Sequence, residues 1–261
     1  MVAAKRQSWR LPASPSIREL VKKVLLGQTD LRMVPLAFPG RSETRYIWKQ
    51  VSPFEVALSI RTNAYLSHLT AMHLHGLTEA ASPNIYVNWE QSPKPEPFDD
   101  PTQASIDAAF KRPARITAQR AAYDEFVIHL LNGKHTGQLG VSNLTTADNL
   151  NLQITSIERT LIDAAVRPQY SGGPAAVLRA YEKARNRFSI KRLVEFLLKL
   201  DYRYPYHQAI GFYLERSKAC EVDELAELQR LQMQFDFYLD HQIVKKRYDE
   251  HWRIFYPAAC L

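Results

Sequence analysis

Ile154-Thr155-Ser156-Ile157-Glu158-Arg159-Thr160-Leu161-Ile162-Asp163-Ala164-Ala165, followed by Arg167-Pro168 and the loop Tyr170-Ser171-Gly172-Gly173-Pro174, is the stretch around which the chain is organised. Thr155 or Ser156 can accept hydrogen bonds from the free N–H groups of a helix start, and Glu158 follows Thr155 at capping-box spacing. Ile157, Leu161, Ile162 and Ala165 recur at helical spacing and make one buried stripe. Pro168 and the glycine pair then stop the helix and turn the chain. Glu158, Arg159 and Asp163 fall at the edge of that stripe. They form either a polar cluster placed by a rigid helix or an ordinary charge network; the second is favoured, because helix-edge charge pairs are common and weak.

At 261 residues and 46% hydrophobic content the chain can bury one large or two modest cores. It has no apolar run of about 18 residues, and Met1-Val2-Ala3-Ala4-Lys5-Arg6 leads into polar, proline-rich sequence, so a soluble cytoplasmic protein without a membrane partner is expected. Cys220 and Cys260 have neither metal-ligand nor disulfide-framework spacing and read as passive thiols. No cofactor is expected. The formal charge of +7 is unevenly placed: residues 1–61 hold eleven Lys or Arg against four acids, and the remainder is balanced. A basic segment on a neutral body is the electrostatic footprint of a nucleic-acid contact, or else a solvated basic face.

Residues 1–13 read as a basic arm. Ser14 and Pro15 open a helix whose Ile17, Leu20, Val21, Val24 and Leu25 share a face and which Gly27 ends, leaving Lys22 and Lys23 off the apolar stripe. Residues 33–41 are broken by two prolines, Pro39-Gly40 marks a turn, and residues 44–51 read as a strand. Helix, turn and basic strand suggest a reduced winged helix with Arg41, Arg45 and Lys49 on its wing, although no second recognition helix precedes residue 50. The division expected is 1–51 for this segment and 52–261 for a larger domain.

Beyond it, Ser52-Pro53 starts a short helix, and Ser67 caps another that Gly76 ends. His73 and His75 on that helix face different ways and complete no metal set. Strands are expected over 84–89, 125–131 and 138–141, with a turn at 132–134, and Ser92 to Pro101 forms an exposed proline-rich loop. Gly133, Gly137 and Gly140 lack phosphate-loop spacing. Helices follow over 102–111, 175–184 and 189–200. Tyr202, Tyr204 and Tyr206 form an aromatic turn into a further helix, packing in a core in preference to stacking on bases. Strands at 235–240 and 252–257 should cap or extend the sheet. The fold class expected is α/β of the mixed, α+β kind.

Four of these runs together resemble the AbiEi antitoxins of type IV toxin–antitoxin and abortive-infection systems: Tyr65 to Leu77, Glu158 to Asp163 with Tyr170-Ser171-Gly172-Gly173, Tyr206 to Arg216, and Phe237-Tyr238-Leu239-Asp240 with Trp252-Arg253-Ile254 and Tyr256-Pro257. The resemblance runs from about residue 52 to the end. It implies a non-enzymatic, phage-defence antitoxin that neutralises a cognate nucleotidyltransferase-like toxin, with an N-terminal winged helix that represses the shared operon by binding operator DNA. The family pattern implies Glu158, Arg159, Asp163, Gly172 and Gly173 as structural motif residues. Lys22, Lys23, Arg41, Arg45 and Lys49 are candidate DNA contacts on charge alone. The alternatives are a stand-alone DNA-binding regulator and a metal-dependent nuclease using Glu158 and Asp163, against which stands the lack of a paired-carboxylate and lysine motif.

Overall fold

A computed structural model describes residues 5, 7–11, 16–26, 29–93 and 100–260. Ser14, Pro15, Gly27 and residues 94–99 of the proline-rich loop lie outside the described residues, as does much of the basic arm. The first helix is capped by Ser16, whose hydroxyl accepts from the Glu19 N–H at 3.2 Å while the Glu19 carboxylate accepts from the Ser16 N–H at 3.1 Å. Helix α1 (Ile17–Leu20) continues as a π-helical turn over Val21–Leu25. Val24 is buried, but Ile17 is 83% exposed and so leaves the expected apolar face.

Strands β1 (Leu31–Phe38) and β2 (Arg41–Trp48) pair as an antiparallel hairpin around Pro39-Gly40. The proline-broken stretch is thus a strand: the sheet has only two strands, so Pro35, opposite Thr44, removes no interior ladder bond. The second strand starts and ends three residues earlier than expected. Val34, Leu36, Phe38 and Ile47 turn inward, while Met33, Tyr46 and Trp48 stand in solvent.

A six-stranded mixed sheet is built from β3 (Tyr65–Leu66), β4 (Asn84–Glu90), β5 (Arg120–Tyr123), β6 (Phe126–Gly133), β7 (Val141–Thr145) and β8 (Asn151–Thr155), in the order β5-β6-β4-β3-β8-β7. β4 runs parallel to β6 and β3 parallel to β8, and the other pairs are antiparallel. Partners alternate between faces. Ile85 beside Ile128 and Val87 beside Leu130 cover one face, which shares a core with the hairpin and with α2 (Pro53–Leu58), itself opened by a Ser52–Glu55 capping box. Tyr86 beside His129 and Asn88 beside Leu131 occupy the other.

The remaining helices are α3 (His68–Leu74), which packs on β4, α4 (Gln103–Lys111), α5 (Ile157–Val166), which packs on β8, α6 (Pro174–Ala184), α7 (Ile190–Leu200), α8 (Tyr206–Ser217) and α9 (Val222–Gln229). They bury a second, larger core with the C-terminal strands. The class is mixed α/β, as expected.

Four local expectations are corrected. Ile154 and Thr155 belong to β8, because β3 and β7 engage their backbone; Ser156 caps α5, accepting from the Arg159 N–H at 3.4 Å. Gln138 to Gly140 form a turn, and the strand begins only at Val141; β6 in turn runs on to Gly133. The short strands β5 and β8 escaped detection because each gains its pairing from a distant or adjacent strand and not from a long alternating pattern of its own. The C-terminal strands do not extend the large sheet: β9 (Phe237–Tyr238), β10 (Lys246–Asp249) and β11 (Ile254–Pro257) form a separate sheet in the order β10-β11-β9.

Candidate binding cleft

Helix α5 places Arg159 and Asp163 one turn apart, on the same side of the helix. The Arg159 Nε donates to Asp163 Oδ1 at 2.8 Å, and the two side chains are only 5% and 7% exposed. The Arg159 Nη1 also donates to the Leu139 carbonyl at 2.6 Å. Burial alone would depress the guanidinium; the Asp163 carboxylate overcomes that and holds Arg159 well above its ordinary value, hence protonated. Glu158 does not join them. It accepts from the Ser156 hydroxyl at 2.9 Å and the Ser189 N–H at 3.3 Å, so the expected three-member network at the stripe's edge is a buried pair with Glu158 facing elsewhere.

This pair lies in the wall of a cleft of about 530 Å³ between α5, the end of β6 and the Tyr202–Tyr206 turn. His68, the first residue of α3, is buried against Tyr86 and Tyr170, with ring centroids at 6.5 and 5.4 Å, and its Nδ1 is 2.9 Å from the Ser67 hydroxyl. Its φ of 52° is in the left-handed region, a strain that surrounding packing must maintain. The Tyr170 hydroxyl accepts from the Thr117 N–H at 2.7 Å and donates to the Arg115 carbonyl at 3.3 Å. The chain can return Tyr170 here because Gly172 and Gly173, at φ 84° and 85°, turn it in a region that side chains disfavour.

Lys134 Nζ donates to the carbonyls of Leu200 and Asp201 at 2.9 and 2.7 Å, closing the C-terminus of α7 over the cleft. Tyr202, Tyr204 and Tyr206 stand edge to face, with centroids of 5.3 Å for Tyr202–Tyr206 and 6.3 Å for Tyr204–Tyr206. Burial pushes the Tyr206 phenol up to about 12, so it remains a neutral hydroxyl. Arg115, Arg167 and Arg203 complete a basic lining. Sequence reading missed Arg115 and Lys134, which sit in irregular segments with no spacing that ties them to α5.

Burial pushes His68 down to about 4 despite the nearby Asp163 carboxylate, and His207 likewise to about 4. A histidine kept neutral in the fold is protonated first in the unfolded chain, at about 6.5. Stability is therefore full above that value and is expected to fall as pH drops from there toward 4. His68→Asn, which tolerates the left-handed backbone, should flatten the fall. Urea midpoints at pH 7 and pH 5 check this; an unchanged pH dependence in the variant contradicts the buried neutral ring.

The N-terminal cations are placed differently from expectation. Glu43 gathers Arg41, Arg45 and Arg61 at 2.9, 2.8 and 2.7 Å. Arg45 also donates to the carbonyls of Ser59 and Ile60 at 3.0 and 3.1 Å, fastening the hairpin to the end of α2. Burial would raise the Glu43 carboxyl, but Arg61 and Arg45 outweigh it and hold it below its ordinary value. Lys22, Lys23 and Lys49 remain exposed. His75 is 2.7 Å from the Thr155 carbonyl and His73 is exposed, and no group of three potential metal ligands occurs among the described residues. No described helix is long and apolar enough to cross a membrane. Burial pushes both Cys220 and Cys260 thiols up to about 11, away from the thiolate form that reacts.

No family model matches the chain, and no curated protein does. Among solved structures, the crystal structure of the RV2827C protein from Mycobacterium tuberculosis is similar, with a TM-score of 0.53 at 13% identity over 85% of this chain and 75% of that one. At that identity the likeness establishes a shared fold.

Proposed function

We propose that this protein is a non-enzymatic antitoxin of the AbiEi kind, which neutralises a nucleotidyltransferase-fold toxin in the cytoplasm and binds operator DNA through its basic N-terminal segment. One observation carries the reading. The four runs that resemble the family lie up to about 190 residues apart, yet they meet: His68, Arg159, Asp163, Tyr170 and Tyr206, from three of them, line one cleft. Phe237 of the fourth packs on Tyr206 with ring centroids at 5.2 Å, and Trp252 is buried against α8. A resemblance scattered along a chain gains weight when its parts form one structural unit.

The nuclease alternative loses ground on geometry, because Asp163 faces Arg159 while Glu158 faces Ser156 and Ser189. The two carboxylates do not converge. The DNA contact is assigned to Lys22, Lys23 and Lys49, since Arg41 and Arg45 act on Glu43. A full-length Lys22→Ala, Lys23→Ala, Lys49→Ala variant is expected to keep growth rescue and to lower the salt slope of operator binding by about three. An unchanged slope would remove these lysines from the DNA contact, and lost rescue by the folded variant would oppose the division of roles.

A further inference from the structure

We propose that the cleft between α5 and the Tyr202–Tyr206 turn is a nucleotide-binding site, taking a nucleoside phosphate either free or as the end of an RNA strand. Its volume of about 530 Å³ lies within the range of small-molecule sites. Charge gives the first requirement of the ligand. Among the described residues the only carboxylate in the lining, Asp163, is already paired with Arg159, while Arg115, Lys134 and Arg167 approach from three separate segments. The Lys134 ammonium donates to two carbonyls, and Arg167 Nη1 reaches the Arg115 carbonyl at 3.4 Å, which sets both arginines on one rim. Such a concentration of cations, none of the three ion-paired to a carboxylate among the described residues, calls for a multiply charged anion, and arginine's planar fork suits phosphate.

The wall gives the second requirement. Tyrosine rings at positions 202, 204 and 206 stand edge to face, offering apolar surface for a flat ring, and the side-chain amides of Asn132 and Gln91 on the same lining can pair with a base edge. An inorganic anion would leave that surface unused, and an acidic peptide would not need it. The site owes nothing to the toxin, so it extends the antitoxin reading without depending on it.

The purified full-length protein should be titrated calorimetrically with ATP, AMP, inorganic phosphate, a 5′-phosphorylated RNA hexamer and a hexaglutamate peptide, with no toxin present. Saturable binding of ATP, AMP or the RNA, tighter than phosphate or peptide, is the expected result, and the tighter of mononucleotide and RNA identifies the source. The exposed pair Arg115→Ala, Arg167→Ala should weaken it about tenfold or more, whereas Lys191→Ala on the outer face of α7 should not. Binding of none of the probes, preference for the peptide or for phosphate alone, or equal affinity in the folded double variant would overturn the proposal.

Discussion

Asp163→Ala is expected to destabilise the protein by about 3–5 kcal/mol, because it leaves the Arg159 guanidinium buried without its counter-charge. The side chain that remains is 5% exposed, and its one other short bond is to a neutral carbonyl at Leu139. The pair as a whole is a different matter. Two desolvated charges offset most of what they gain from each other, so Arg159→Met combined with Asp163→Leu should lose much less than the single change. Urea unfolding of both single variants and the double variant closes the cycle. A loss below about 1 kcal/mol for Asp163→Ala would mean that the pair is solvated, as surface pairs are.

Gly211→Ala is expected to cost more than such a change does elsewhere in a helix, and in the opposite direction. In an ordinary helix interior alanine gains about 1 kcal/mol over glycine. Here an added Cβ would sit 2.1 Å from Cζ3 of Trp252, an indole with no solvent exposure. That ring cannot swing away: its Nε1 donates to Glu215 at 2.8 Å, and its backbone is held by Asp249 at 3.0 Å and Gln208 at 2.8 Å. Overpacking of this sort costs about 1–3 kcal/mol or more, which exceeds the propensity gain. Trp252→Leu in the same chain should make the second substitution nearly silent. Thermal midpoints of the three variants read the result, and a Gly211→Ala protein as stable as the parent would refute the packing of α8 on the C-terminal sheet.

The sequence made α5, α7 and α8 legible because each carries a cap or a long apolar stripe: Ser189 and Ser156 cap two of them, and Leu193, Phe196, Leu197 and Leu200 line one face of α7. The strands were harder. Pro35 disguised β1, which tolerates it only for want of a second neighbour, and Thr155 offered itself as a helix cap although antiparallel pairing with Val141 holds it in β8. Charges misled in a different way. Arg41 and Arg45 look like wing cations by position, but a single glutamate two residues from each draws them in. Likewise Glu158 stands beside its expected partners in sequence and leaves them in space, since Ser189 presents an N–H across the helix pair. The cleft itself was legible only in parts: Arg159, Asp163 and Tyr206 stand in recognisable runs, whereas Arg115 and Lys134 join them through tertiary packing.

The proposed division of labour places rigidity in the α5 ion pair and the α8–Trp252 contact, and recognition at the cleft and the N-terminal lysines. Its central claim is neutralisation of a partner. The most direct measurement is bacterial growth during co-expression of the full-length protein with the proposed nucleotidyltransferase-fold toxin, against the toxin alone. The account predicts that growth is restored by the parent protein. Continued growth arrest in the presence of soluble, folded protein would contradict it.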